Sequence, residues 1–124
     1  MSYFAREFLF RGQEIATHKW IVGTNIVYDK NIAELFIITD TCHKIDKTTF
    51  GQYTGIIDSN NNKIFEGDII LVKNHKLLVY WDAEYKGWHC TDIQSNNNNK
   101  SLWYRASLSW ISKMSMEIVG NVYD

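Results

Sequence analysis

Glu66 and Asp68 stand two residues apart in Phe65-Glu66-Gly67-Asp68-Ile69. On extended chain that spacing turns both carboxylates to one face, as a metal-binding or acid–base pair requires. No histidine or third acidic residue accompanies them at a defined spacing, so the segment reads first as a turn. Gly55 closes one strand, Asp58 and the run Asn60-Asn61-Asn62 form the reversal, and Gly67 lets the chain bend into a strand beginning at Asp68. Cys42-His43 and His89-Cys90 look like two halves of a Cys2His2 zinc site. Adjacent residues of a strand face opposite ways, however, so each dipeptide offers a metal one ligand at most. No metal and no other cofactor is expected, and Cys90 is expected to be a buried thiol. His18 and His75 have no companions in sequence, and no P-loop, Gly-x-Ser-x-Gly or Gly-x-Gly-x-x-Gly pattern occurs. Catalysis, for instance by a hydrolase using Glu66, Asp68 or Asp82, is therefore the weakest functional reading.

The aromatic residues carry a stronger signal. Tyr80, Trp81, Tyr85, Trp88, Trp103, Tyr104 and Trp110 cluster in the second half of the chain, and Arg105, one of three arginines, lies inside the run Trp103-Tyr104-Arg105. Strand alternation places Tyr80 and Trp81 on opposite faces, and Trp103 and Tyr104 likewise, so one ring of each pair is expected in the core and the other at the surface. Core packing or subunit contact accounts for most such rings. The sharper reading is that rings beside Arg105 stack a nucleobase while the guanidinium holds a phosphate. On an extended strand Trp103 and Arg105 share a face with origins about 7 Å apart, so one planar ligand would meet both. Removing Arg105 would then weaken binding and leave folding nearly unchanged. The ligand-binding residues expected on this reading are Trp103, Tyr104, Arg105, Tyr80, Trp81 and Trp88, with Arg6 and Arg11 serving similarly on an early strand.

These residues need a framework, and the sequence suggests one rich in strands. Asp68 to Asn74 and Lys76 to Asp82 are apolar and largely β-branched runs separated by a short polar break, as in a hairpin. Trp88 to Ile93, Leu102 to Arg105 and Met116 to Tyr123 continue the pattern, with the Asn96 to Asn99 run as a loop. Five short strands separated by turn signals predict a small antiparallel barrel, specifically an SH3-like one. Glu7 to Arg11, Lys19 to Val22, Asn25 to Tyr28 and Glu34 to Thr39 are also strand-like. Only Ala106 to Met114 reads as a helical turn. The fold class expected is all-β or mainly β, a small antiparallel N-terminal region over 1–48 followed by the barrel region over 49–124, together one compact unit. The 124 residues, 45% of them hydrophobic, are enough for one core without staples.

Charge and cysteine content narrow the partners. Thirteen Lys and Arg against fourteen Asp and Glu give a formal charge of −1, without the basic footprint that bulk nucleic-acid binding uses to release counterions. Two cysteines are too few for a secreted disulfide framework, and no apolar run approaches the roughly 18 residues of a membrane span, so a cytoplasmic location is expected. Exposed strand edges and surplus rings predict a homo-oligomer.

The run Gln52-Tyr53-Thr54-Gly55-Ile56-Ile57-Asp58 through Ile64-Phe65-Glu66-Gly67-Asp68-Ile69-Ile70 resembles the characteristic segment of the YopX family of bacteriophage and prophage proteins. Arg6 to Arg11 resembles that family's opening strand and Ile118 to Tyr123 its closing one. Asn60-Asn61 stands where many members have Asn-Gly, and Gly12-Gln13 follows Arg11 where an aromatic is usual. The resemblance implies a phage-linked context, a mainly β fold and oligomerisation, and it transfers no catalytic motif. With the aromatic and arginine residues it suggests a non-enzymatic accessory protein of the host cytoplasm that sequesters a small anionic, nucleotide-like defence signal. The alternative is an accessory module that binds a host protein or nucleic acid.

Overall fold

The computed structural model describes residues 7–94 and 102–124. Over half the chain is strand, and among the described residues helix is limited to a 3-10 turn at Lys47–Thr49 and a single turn, α1, at Leu108–Ile111. The fold is all-β. Contacts divide into two compact units, Met1–Gly55 and Ile56–Asp124, with the division falling inside one strand.

In the first unit β1 (Phe10–Gln13) pairs antiparallel with β2 (Trp20–Gly23) and with the start of β6 (Gly51–Ile57). A three-stranded meander follows β2: β3 (Asn25–Asp29), β4 (Glu34–Ile38) and β5 (Cys42–Ile45). Alternation along β4 turns Leu35 and Ile37 inward, where they meet Ile45 of β5 and form the core with Ile21, Ile26 and Phe50.

In the second unit the end of β6 leads through the Asp58 turn to β7 (Lys63–Phe65). A five-stranded antiparallel sheet then curls into a half-barrel. It comprises β8 (Asp68–Val72), β9 (His75–Asp82), β10 (Gly87–Asp92), the two-residue β11 (Ala106–Ser107) and β12 (Glu117–Asn121), in the order β11-β10-β9-β8-β12. Ile70 and Val72, Leu77 and Val79, and Cys90 all point to the inner face, and α1 adds Leu108 and Ile111 to the same core. Each of these side chains is essentially inaccessible to water, and burying each apolar one stabilises the fold by about 1.5 to 3 kcal/mol before ordering costs.

The β8–β9 hairpin forms as the sequence predicts, but its turn is Lys73-Asn74. Both residues have positive φ, 47° and 69°, and Val72 pairs with His75. Two consecutive left-handed residues match the twist of the flanking strands, so the break lies earlier than hydropathy suggests. The predicted strand over Leu102 to Arg105 is a turn, in which Arg105 itself takes a φ of 51°. The pairing with β10 on this side is made just after that turn, by Ala106–Ser107. The Asn96 to Asn99 loop lies outside the described residues. Asn61, in the first Asn cluster, has a φ of 66°, the role its side chain is suited to.

Candidate functional site

Asp82 ends β9 where the chain reverses through Ala83-Glu84-Tyr85-Lys86 into β10. Its carboxylate is 4% exposed, and Oδ1 accepts from the amides of Glu84 and Tyr85 at 3.0 and 3.1 Å, which pins the turn. Arg105 brings its guanidinium onto the same carboxylate. Nε donates to Oδ2 at 3.2 Å, while Nη2 donates to Oδ2 at 3.0 Å and to Oδ1 at 3.2 Å. Nη2 also reaches Glu84 Oε2 at 3.0 Å, and the Tyr80 hydroxyl donates to Asp82 Oδ2 at 3.3 Å. Burial pushes the Asp82 pKa up, but the hydrogen bonds from Tyr85, Arg105 and Glu84 and the guanidinium charge outweigh it and hold the carboxyl below its ordinary range. Hydrogen bonds to Glu84 and Asp82 raise the already high pKa of Arg105. Burial and the nearby Asp82 raise that of Tyr80.

Strand alternation sorts the aromatic rings into two groups. Tyr80 shares the Asp82 face, and the register sets His89 opposite it, with ring centroids 6.4 Å apart. The Tyr85 ring, 60% exposed, stacks on His89 at 5.5 Å with planes 25° apart, and Arg105 Cζ lies 4.7 Å from its centroid. Trp81 pairs with Trp88 on the opposite face, the one to which Leu77, Val79 and Cys90 belong, and the two indoles meet edge to face at 5.2 Å. Trp81 sits at the open end of that face and is 47% exposed. The first group is a fixed guanidinium beside an exposed ring, able to stack a planar group and donate hydrogen bonds.

The residues singled out in the sequence are thus only partly brought together. Tyr80 and Arg105 meet through Asp82, and Trp81 meets Trp88. Trp103 is a core residue, 5% exposed, with its ring 5.8 Å from His75 and 6.0 Å from Trp110. His75 opens β9 and Asp82 closes it, a run of roughly 23 Å on extended chain. Trp103 and Arg105 therefore reach opposite ends of that strand, and the shared face expected of them is lost because the chain turns instead of extending there. Tyr104 is half-buried in that turn. Arg11 belongs to the first unit, where its guanidinium packs 4.5 Å from the Trp20 ring. Arg6 lies outside the described residues.

Several of the other candidate groups have structural roles, whereas Cys42 is an exposed free thiol. Asp68 is 2% exposed and accepts from the Phe65 amide at 2.7 Å. His43 Nδ1 bonds Glu14 Oε2 at 2.6 Å and its Nε2 bonds Thr39 and Thr41, His89 Nδ1 bonds the Gly87 carbonyl, and Cys90 is buried. Sequence reasoning missed Glu84 and the roles of Asp82 and His89. The one available signal was an Asp at a strand end, which needs donors for both its oxygens once buried.

No helix among the described residues is long and apolar enough to cross a membrane. No curated protein matches the sequence. The profile of the family described as YopX protein matches residues 9–124, nearly the whole chain, and the protein belongs to that family.

Proposed function

We propose that this protein acts by binding and not by turnover, as a phage or prophage accessory protein that captures a small, planar, nucleotide-like ligand and so withholds a defence signal of the host. The observation that supports this reading best is the flat guanidinium of Arg105 beside the exposed Tyr85 ring, its position fixed by buried Asp82. The outward contact of that guanidinium is Glu84, whose side chain is 69% exposed. An exposed ion pair of this kind contributes about 0 to 1 kcal/mol, so a ligand phosphate or carboxylate displaces Glu84 at small cost. Asp82 already balances the arginine charge. Selectivity then comes from stacking and hydrogen-bond geometry more than from net charge.

Action in the host cytoplasm and assembly into a homo-oligomer belong to the same proposal, the latter motivated by exposed apolar side chains such as Trp81 and Val119 on the half-barrel. The test is mass spectrometry of small molecules released from protein purified under mild conditions. The parent should retain a nucleotide-like compound that Tyr85→Ala loses and Glu84→Ala holds more tightly. Equal retention by all three, or none by the parent, would reject this site. A second reading, docking of a host protein, is favoured by one specific feature: Val27 and Tyr28 are exposed on β3, an edge strand of the meander. Capture of a defined host polypeptide that Tyr28→Glu abolishes would favour it.

A further inference from the structure

The beginning of β9 carries a second arrangement, separate from the Arg105 platform. His75 Nδ1 bonds Asp92 Oδ2 at 2.9 Å across the β9–β10 pair, and Asp92 Oδ1 accepts from the Gln94 amide at 2.9 Å. Asp92 is 7% exposed, and the indole of Trp103 packs against the imidazole from the core side. A carboxylate whose other oxygen is already fixed, together with a ring contact, sets both the orientation of an imidazole and which nitrogen faces the carboxylate. Nε2 of His75 has no partner among the described residues, and the side chain is 44% exposed. A cleft of about 390 Å³ opens here, lined by Asn74, His75, Lys76, Asp92, Ile93 and Gln94. The Lys76 ammonium also has no hydrogen-bond or ion-pair partner among the described residues, and the backbone carbonyl of Lys76 accepts from the Ile93 amide.

We propose that this cleft is a binding site for a small phosphomonoester. Lys76 leaves β9 on the opposite face from His75, but at the strand's end both residues line the cleft, so its long side chain supplies a cation, and the side-chain amides of Asn74 and Gln94 supply further donors. His75 Nε2 donates to a phosphate oxygen as imidazolium, or accepts from the P–OH of the phosphate monoanion as neutral imidazole. The volume lies within the range, beginning near 300 Å³, of sites that hold organic ligands, so the cleft has room for a small organic group beyond the phosphate. Ile93 supplies the apolar wall for that group.

The proposal is tested by following the His75 ring resonances of the full chain in NMR titrations at fixed pH and ionic strength, with glycerol phosphate, inorganic phosphate and chloride as separate probes. Glycerol phosphate should give a saturable shift, inorganic phosphate a weaker saturable one, and chloride none. Lys76→Ala, which removes an exposed side chain, should weaken glycerol phosphate binding about tenfold, the worth of one charge-assisted contact. Tyr85→Ala should leave it unchanged, which separates this cleft from the Arg105 platform. Unsaturable shifts, equal response to chloride, or unaltered binding by Lys76→Ala would overturn the proposal. Saturation by inorganic phosphate as tight as by glycerol phosphate would overturn the assignment to an organic phosphomonoester.

Discussion

Replacing Asp58 with Ala tests whether the turn after β6 acts locally or across the fold. The Asp58 carboxylate is 4% exposed, and Oδ1 accepts from the amides of Asn60 and Asn62 at 2.9 Å each. Oδ2 accepts from the Ile118 amide on β12 at 3.0 Å, sixty residues away. Next to it, the Ser59 amide bonds the Met116 carbonyl and the Met116 amide bonds Ser59 Oγ. Asp58 therefore closes its own turn and also ties that turn to the last strand. In Asp58→Ala the Asn60 and Asn62 amides regain water, because both residues are exposed. The Ile118 amide is partly buried and loses a charged acceptor, a loss worth about 1.5 to 3 kcal/mol. With the loosened turn the total comes to about 2 to 4 kcal/mol, or a fall of roughly 10 °C in melting temperature for a domain of this size.

The pH dependence gives this prediction its sign. Burial raises the Asp58 pKa, but the hydrogen bonds from Ile118, Asn62 and Asn60 outweigh it, and the folded value lies below the ordinary one. A depressed carboxyl contributes stability that is complete above the unfolded pKa of about 3.9 and is lost as pH falls through the folded value. Urea unfolding of the parent and of Asp58→Asn should therefore diverge most at neutral pH and converge in acid. A destabilisation of Asp58→Ala below about 0.5 kcal/mol, the size of ordinary surface substitutions, or the same acid slope in Asp58→Asn as in the parent, would refute the cross-fold role.

Gly67 has a φ of 91°, and a Cβ there would lie 2.8 Å from Cε2 of Tyr123, whereas Gly55 has a φ of 85° with nothing within 4 Å. Gly55→Ala should cost about 1 to 2 kcal/mol of backbone strain, and Gly67→Ala more; equal costs by denaturant unfolding would mean that Tyr123 yields freely. Arg105→Ala should lower the melting temperature, contrary to the expectation from sequence, because Asp82 would stay buried without its guanidinium. Arg105→Lys should recover only part of the loss, and an unchanged melting temperature in Arg105→Ala would show that the pair is dispensable. Burial pushes the Cys90 thiol up to about 12, while Cys42 is exposed. A thiol reagent at pH 8 should label Cys42 alone in native protein and both cysteines after unfolding; rapid labelling of both would contradict the packing of the second core.

Strand positions were legible where alternation and β-branching coincide. Ile70, Val72, Leu77 and Val79 announce β8 and β9, and the helical turn falls inside Ala106 to Met114 at Leu108–Ile111. Cys42-His43 reads as a strand dipeptide, but the extent of β5 over Cys42–Ile45 was not legible, because Ile45 alone of that strand is fully buried and the other side chains resemble those of a polar loop. The three residues of β7 were too few for any period to show. Leu102 to Arg105 misled for the opposite reason. Its large side chains suit a strand, yet Trp103 enters the core from a turn, and the left-handed backbone of Arg105 is a tertiary outcome that propensity does not encode.

The site was less legible than the fold, because what matters in it is pairing between distant residues. Scarcity of guanidiniums marked Arg105 as worth attention. It did not reveal that Asp82, 23 positions earlier, holds the group in place. A strand-end Asp whose oxygens bond the next turn would have looked purely local, as Asp58 does in its own turn, and in both cases the second oxygen reaches a remote element. The same holds for His75, which has no companion in sequence but meets Asp92 because antiparallel pairing sets Leu77 against Asp92 and brings the ends of β9 and β10 together. Residue type therefore identifies which groups require partners. Strand register decides which partner each receives, and so whether an arginine presents a free charge to a ligand or a flat edge already balanced from behind.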